Sequence, residues 1–562
     1  MKSILGKKWK IQNTDAGATL LEKLLHNRNL RTEKEVEKFL NPSLERDMHD
    51  PFLMEDMEKA VRRVGEAIQK KERIIIFGDY DIDGITGTAI LIHVLRKLGA
   101  EVSYRLPHRM EDGYGLREKF IKEFVEANVK LVITVDNGIS AAREISLAAG
   151  HGIDVIVTDH HTLPKEMPGD AYAILHPKLP GTKYPFDELT GSAVAFKLAK
   201  ALIRTFLPAE RHDEEIMPLL DLAAMGIVSD MGPLVGENRA LVKFGLEVLG
   251  NTRWPGLSKL KEKAGVVGVM SPRTVGFQIG PRINAAGRME HAYYALQLLL
   301  DDGSKAEALA EKLEQLNKKR QKVTEEFFAQ AKEKLRDQLE RDEKILIVGD
   351  PKWHVGIVGL LAGKLAEQYN RPVLVMEERE NVCVGSARSP AYFNVTAALT
   401  ECSKYLTSFG GHAQAAGFEV PVINFEKFES MIRKISEKMT KGINMESALK
   451  LDCEILQSDI SFDTTSMIEN FSPFGHGNEC PRFFMRGVKI QRITKIGKTH
   501  DHLKGTLVFE HATVDVVGFG MGNLLQKINA VENLDIAFEL EVNEWNGRKT
   551  LQMKLLDLRP AN

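Results

Sequence analysis

The sequence predicts a multidomain α/β chain: a doubly wound domain with a parallel sheet, a long connecting helix, a second and smaller α/β domain, and a C-terminal β-barrel of OB type. Three observations carry this prediction. First, from Arg73 onward short apolar runs ("RIIIFGD", "EVSYRL", "KLVITVD", "DVIVTDHH", "AYAILHP") alternate with helical stretches, the pattern of a parallel sheet covered on both faces. Second, residues 304–348 contain neither Gly nor Pro and are rich in Ala, Leu, Glu, Lys and Gln, which favour helix. Third, residues 450–562 break into short strands between turns: "GVKIQRITKIG", "HLKGTLVFE", "ATVDVVGFG", "LDIAFELEVNEW" and "KTLQMKLLDLRP".

The elements follow in order. Residues 1–70 read as a charged helical segment broken at "NPSL" and "DPFL". The doubly wound domain occupies 71–250. A linker region, 251–343, holds the long helix. At about 40 residues that helix would be about 60 Å long and would bridge two lobes; the alternative is two shorter helices bent near Thr324. The second α/β domain, 344–445, opens with "KILIVGD" and continues through the helix "IVGLLAGKLAEQY" and the strand "PVLVM". The barrel fills 446–562. A chain of 562 residues is too long for one core and suits three or four domains.

Composition narrows the function. Hydrophobic residues make up 43% and charged residues 27%, ordinary for a globular protein, and the formal net charge is −2. The chain as a whole is therefore not a basic nucleic-acid binder, and an anionic partner must meet local basic patches. Four scattered cysteines without a C-x-x-C pair argue against a thiolate zinc site or a disulfide framework and fit a reducing cytoplasm. No apolar run approaches the roughly 18 residues of a membrane span, and the N-terminus has no apolar leader.

The chemistry concentrates at strand ends. In "KERIIIFGDYDIDGITGTAI" three carboxylates, Asp79, Asp81 and Asp83, follow a buried run at every second position. If the chain stays extended past Gly78 they share one face, where they repel and resist joint ionisation. A hard dication relieves that repulsion; the alternative is an Asx-rich turn capping the next helix. "LVITVDNGIS" places Asp136 after a second run, "VIVTDHHTLP" places Asp159, His160 and His161 after a third, and "AMGIVSDMGPL" places Asp230 after a fourth. Ligands of open α/β sheets bind at the carboxyl ends of the strands, so these groups are expected to converge. Asp and His without Cys suit two Mn2+ or Mg2+ ions rather than structural zinc, and two such ions suit displacement at phosphorus. Asp159 could also stand behind a histidine and orient it. Asp221 in "LLDLAAMG" is a second carboxylate near Asp230, which is preferred because it directly follows the apolar run.

"DYDIDG", "VDNG", "DHH" and the later "SD", in this order, resemble the four motifs of the DHH phosphoesterase superfamily. "PHRMEDGYGL", "TGSAVAFKLAKAL", "GPRINAAGRM", "GSARS", "GGHAQAAGF" and "PFGHGN" resemble one branch of it, the RecJ family of bacterial single-strand-specific 5′→3′ exonucleases, from about residue 8 to the end. The resemblance implies a DHH domain, a long helix, a DHHA1 domain and an OB-fold; manganese or magnesium; and release of 5′-mononucleotides from single-stranded DNA in repair and recombination. It maps metal ligands onto Asp81, Asp83, Asp136, His160 and Asp230, with Asp79, Asp159 and His161 as further ligands or close supporters and His161 among the catalytic groups. It also implies a single-strand-binding protein and a RecQ-type helicase as partners. Two departures are local: "GIVSD" stands for the family's "GTVAD", and "GNECP" puts Glu479 where a proline is usual.

A phosphodiester chain also needs cations and backbone donors. Arg109, Arg282 and Arg388 lie in these motifs, together with Asn284, and a guanidinium can grip phosphate with two hydrogen bonds; a surface salt bridge is the alternative for each. Gly410 and Gly411 before His412 could form an anion nest, with His412 as phosphate contact or general acid, or be a plain turn. His354 could bind an anion at a helix start or simply cap that helix. Lys489, Arg492, Lys495, Lys498 and Lys504 form a basic patch in the barrel, either a nucleic-acid track or a solvated hairpin face. Competing functions are a DHH phosphodiesterase acting on short oligoribonucleotides or cyclic dinucleotides, and a scaffold without activity. The terminal β domain argues against the first, and the full set of acidic and histidine positions argues against the second.

Overall fold

The computed structural model describes residues 3–443, 445–509, 513–545 and 547–561. The chain divides into two compact units, one formed by Ser43–Ile443 with Gly475–Gly477, the other by Met1–Pro42, Asn444–Phe474 and Asn478–Asn562.

The larger unit holds two sheets. In the first, β1 (Arg73–Gly78), β2 (Val102–Arg105), β3 (Val129–Val135), β4 (Asp154–Thr158) and β5 (Ala173–Leu175) are all parallel, in the order β2-β1-β3-β4-β5. Successive side chains of β1 serve opposite faces: Ile74 and Ile76 enter one core, and Phe77 enters another with Phe120 and Phe124. Both faces are thus apolar, which is why these strands read as continuous hydrophobic runs. Three helices carry the residues of interest here: α1 (Ile82–Lys97), α2 (Gly191–Phe206) and α3 (Leu220–Ser229).

The second sheet is mixed rather than parallel. Its strands are β6 (Leu346–Asp350), β7 (Val373–Glu378), β8 (Val382–Arg388), β9 (Ser408–His412) and β10 (Ala415–Pro421), in the order β9-β10-β8-β7-β6, and only β6 and β7 pair in parallel. The α/β crossover is confined to β6, the helix Val355–Tyr369 and β7. The remaining strands are joined by connections without a crossover helix between β7 and β8 or between β9 and β10, and these run antiparallel.

Helix α4 (Gly280–Met289) precedes the connecting helix α5, which is shorter than expected: Ala306–Lys334, 29 residues, or about 44 Å. It is not divided into two helices at Thr324: the helix runs unbroken through that residue, whose buried hydroxyl donates to the Arg320 carbonyl one turn back. It ends at Leu335, before the short helix Arg336–Glu340.

In the smaller unit a seven-stranded sheet runs in the order Cys453–Glu454, Phe483–Val488, Leu534–Trp545, Arg548–Pro560, Thr513–Gly518, His502–Val508, Ile490–Ile496. The expected strands "HLKGTLVFE" and "ATVDVVGFG" extend onto Glu510 and Ala512, which lie outside the described residues. The N-terminal reading needs correction. Residues 1–70 are not one helical segment, because Lys8–Ile11 is a strand paired in parallel with Ala448–Leu451, and the helices Leu20–Asn27 and Glu33–Leu40 pack Leu24, Leu25 and Phe39 into the core of this unit. From Ser43 onward the chain belongs to the other unit. Local amphipathicity revealed the helices but not which sheet they cover. No helix among the described residues is long and apolar enough to cross a membrane.

Candidate metal centre

The carboxyl ends of β1, β3 and β4 and the end of α3 bring their acidic and imidazole groups together. Asp79 follows β1 directly. The chain does not stay extended beyond it: Asp81 is the N-cap of α1, its Oδ1 accepting from the N–H groups of Asp83 and Gly84 at 3.1 Å each, and Asp83 lies in the first helical turn. The capping alternative for this motif therefore applies to Asp81, and it leaves metal ligation open to it, since an N-cap carboxylate offsets the free N–H groups of the helix and still has an oxygen to spare. Asp136, just past β3, has left-handed backbone geometry with φ of 62°. Asp230 is the C-cap of α3 and not a strand end; the apolar run before it is a buried helix, which hydropathy alone does not separate from a buried strand. Asp221 is removed from the site, as it accepts from Thr252 Oγ1 at 2.6 Å and from the Trp254 indole at 3.0 Å.

Three sets of groups offer ligand atoms within 4.8 Å of one another: Asp79, Asp81 and Asp136; Asp83, His160 and Asp230; and Asp136, His160 and His161. Asp136 and His160 are shared between sets. His160 Nε2 lies 3.1 Å from Asp136 Oδ1, 3.5 Å from Asp230 Oδ2 and 4.0 Å from Asp83 Oδ2. Asp79 Oδ1, Asp136 Oδ1 and His160 Nε2 are buried without a hydrogen-bond partner. Orphaned buried acceptors are costly, and a hard cation with oxygen and imidazole ligands satisfies all three, so the residues present fit Mn2+ or Mg2+.

The electrostatics agree. Burial, followed by the charge of Asp81, raises the Asp79 carboxyl well above the usual range, and burial with Asp83 and Asp81 does the same for Asp136. Burial and neighbouring carboxylates push Asp83 up to about 6 and Asp230 up to about 8. Burial, then the charge of His161, lowers His160 to about 3, which leaves its imidazole neutral and able to donate a lone pair. His161 behaves oppositely: burial alone would lower it, but the hydrogen bond and charge of Asp159 outweigh burial and raise it to about 9.

Asp159 stands behind the histidines. Its Oδ1 accepts from the His160 and His161 N–H groups and lies 2.7 Å from His161 Nδ1, while its Oδ2 accepts from the Ile139 N–H at 3.0 Å. It orients His161 and is absent from the three sets. Asp83 has its own support, with Oδ1 accepting from Thr190 Oγ1 at 2.9 Å and the Ser192 N–H at 3.1 Å, and Oδ2 from the Gly191 N–H at 2.6 Å. Glycines give these carboxylates room. A Cβ at Gly84 would come within 2.7 Å of Asp79, one at Gly191 within 2.5 Å of Asp136, and one at Gly226 within 2.3 Å of Asp83.

The expected phosphate contacts divide. Arg109 lies over the Tyr80 ring at 4.8 Å, and Arg388 donates to Ser386 Oγ and the Ala387 carbonyl at 2.8 Å each. Burial first, then Arg109, Arg320 and Arg388, lower Arg288 to about 9, which marks a cluster of guanidinium groups. Among the described residues none of Arg109, Arg288 or Arg388 is ion-paired with a carboxylate. Arg282 is different. Its Nε pairs with Glu314 at 2.6 Å, fastening α4 to α5, so the salt-bridge alternative holds there. Asn284 Oδ1 accepts from the Ile82 N–H at 3.0 Å and fixes the start of α1. His354 caps the helix Val355–Tyr369, its Nδ1 accepting from the Gly356 N–H at 3.1 Å. Gly410, Gly411 and His412 form neither a nest nor a turn; they lie in the exposed edge strand β9. His412 still reaches the site, its ring parallel to that of His161 within 13° at a centroid distance of 6.3 Å.

Sequence reasoning missed Arg288, Tyr114 and Thr190. All three lie within motifs quoted above. Tyr114 Oη donates to the Asp136 carbonyl at 3.0 Å and lies 3.3 Å from His161 Nδ1. In the smaller unit Lys489, Arg492, Lys495, Lys498 and Lys504 are exposed around one hairpin, with Lys504 paired to Asp515 at 3.0 Å.

Known proteins share this arrangement. The model of the DHH family N-terminal domain matches residues 73–227, that of the DHHA1 domain residues 342–441, and that of the RecJ OB domain residues 451–557. Fold and site thus define a hydrolase of the DHH phosphoesterase class. The chain is 37% identical over 565 residues to the single-stranded-DNA-specific exonuclease RecJ of Bacillus subtilis, covering 98% of this chain and 70% of that protein. It superposes on the crystal structure of RecJ in complex with Mn2+ from Thermus thermophilus with a TM-score of 0.82 at 30% identity, covering 96% of this chain and 76% of that one. For the Mg2+ complex of the Thermus protein the TM-score is 0.75 at 29% identity, with 96% and 74% covered. The chain belongs to the RecJ family of single-stranded-DNA-specific exonucleases.

Proposed function

We propose that this protein degrades single-stranded DNA from its 5′ end to 5′-mononucleotides, using two Mn2+ or Mg2+ ions. The observation that carries this reading is two ligand sets, one of Asp79, Asp81 and Asp136 and one of Asp83, His160 and Asp230, linked by a third that takes Asp136 from one and His160 from the other, together with a cluster of arginines without carboxylate partners among the described residues. Asp79, Asp81 and Asp136 would hold one ion, and Asp83, His160 and Asp230 the other. When bound, the ions supply Lewis acidity, lowering the pKa of a water and offsetting charge on the phosphate.

The protein's own groups do the rest. Asp159 keeps His161 Nδ1 engaged, so that Nε2 is the atom His161 offers to the site. Arg109, Arg288 and Arg388 bind the terminal phosphate, which orients the strand and sets the 5′ polarity. His412 faces His161 from the second sheet and contacts the phosphate or nucleotide between them. The basic hairpin binds the backbone of the DNA through its lysines and arginine. Single strands would be supplied by partners such as a single-strand-binding protein or a RecQ-type helicase, in the cytoplasm; the four free cysteines are in keeping with that compartment.

Digestion of 5′- and 3′-labelled single strands with Mn2+ tests the reading. Immediate release of the 5′ label as a mononucleotide is expected. Release of the 3′ label first, or equal digestion of blunt duplex, would overturn it.

A further inference from the structure

We propose that Phe277 is a stacking platform for a base of the single strand on the 3′ side of the cut, a role that rests on the single-strand reading above. Phe277 is 78% exposed and has no aromatic partner among the described residues. It lies in the π-helical turn Val275–Ile279, which leads directly into α4. Such turns widen a helix locally and recur at functional positions.

The helix reads as a ruler along the site. Phe277, Asn284 and Arg288 follow one another along this helical stretch, seven and four residues apart, and so stand at successive levels of its axis. Arg288, in the guanidinium cluster, donates to the Gly356 carbonyl at 3.2 Å and marks the phosphate end. Asn284 holds the Ile82 N–H, between Asp81 and Asp83, and marks the level of the metal ligands. Gly280 continues the line, packed so that a Cβ there would lie 3.4 Å from Ser229 Oγ, next to Asp230. Phe277 comes next, about 10 Å beyond Asn284 along the axis. A strand that enters the arginine cluster by its 5′ phosphate and crosses the carboxylates therefore reaches the Phe277 ring within roughly the second to fourth nucleotide. Met231, directly after Asp230, is 63% exposed and adds apolar surface at the same end. Every base has a π-face, so an exposed ring grips a strand without reading its sequence.

The test uses the full chain and 5′-phosphorylated 20-mers carrying 2-aminopurine at successive positions from the 5′ end, with metal withheld by chelator so that binding is read without cleavage. Stacking predicts quenching at one of the second to fourth positions, lost in Phe277→Ala and kept in Phe277→Trp. With Mn2+ restored, Phe277→Ala should raise KM for the 20-mer by about 5- to 100-fold, affect kcat much less, and lose most on strands long enough to reach the ring. Quenching and KM within twofold of wild type in Phe277→Ala would overturn the proposal, as would a fall in kcat with KM unchanged. A wild-type protein that leaves single strands intact would instead sink the functional reading itself, and this proposal with it.

Discussion

His160 Nε2 faces Asp136 Oδ1 across 3.1 Å, yet both atoms are buried and neither makes a hydrogen bond. Two groups so close, one a neutral imidazole and the other an acceptor, are arranged for a third party between them. Asp136→Asn and His160→Ala should each abolish Mn2+ binding at one position and lower activity by more than the roughly 10- to 100-fold typical of groups that only support a ligand. Calorimetric titration with Mn2+ checks the first and strand digestion the second. Either variant keeping near wild-type values in both would remove its residue from the site.

Thr190 controls the direction of Asp83. Its hydroxyl donates to Asp83 Oδ1 at 2.9 Å, both residues being buried. Thr190→Val keeps the shape and removes the donor, leaving Asp83 short of a hydrogen bond at a cost of about 1–3 kcal/mol. The expected result is weaker Mn2+ binding, with Thr190→Ser restoring most of it. A loss of stability without any change in Mn2+ affinity would mean that Thr190 serves packing alone.

Arg288 and Arg282 share α4 but should separate in their effects. Arg288 belongs to the guanidinium cluster, so Arg288→Gln should raise KM by about tenfold or more for 5′-phosphorylated strands and much less for 5′-hydroxyl strands. Arg282 is held by Glu314, so Arg282→Gln should lower the melting temperature and leave that preference intact. The opposite pattern in kinetics and melting would exchange the two roles.

His93 makes the α/β unit sensitive to acid. Its ring stacks on Trp254 at 4.0 Å, its Nε2 lies 2.9 Å from the Leu299 carbonyl, and burial lowers it to about 4. Between about pH 4 and 6.5 the unfolded chain binds the proton and the folded chain does not, so stability rises with pH across that window and is fully present above it. The contribution is on the order of 3 kcal/mol. Melting followed from pH 4 to 7.5 should show this slope in the wild type and a smaller one in His93→Phe; equal slopes would contradict it.

Much of the architecture was legible because burial leaves a periodic trace. The runs ending at Gly78, Val135 and Thr158 are strands of a sheet covered on both faces, and their hydrophobic residues are therefore nearly continuous. The carboxylates and histidines just beyond them were legible for the same reason, since the end of an apolar run is the end of a strand. Asp230 was found by the same rule although it ends a helix, because a fully buried helix leaves the same trace.

The sequence by itself determined the kinds of group available, their order and the resemblance to the RecJ family. Only the tertiary structure decided what each group is free to do. Arg282 and Arg288 lie on the same ten-residue helix, yet one is neutralised by Glu314 and the other stands among like charges. Asp159 and Asp136 both follow apolar strands, yet Asp159 has both oxygens occupied while Asp136 keeps one unpartnered. The N-terminal strand Lys8–Ile11 pairs with residues more than four hundred positions away. Whether a charge is spent on a neighbour or left for a ligand depends on partners distant in the chain, and local pattern carries no record of them.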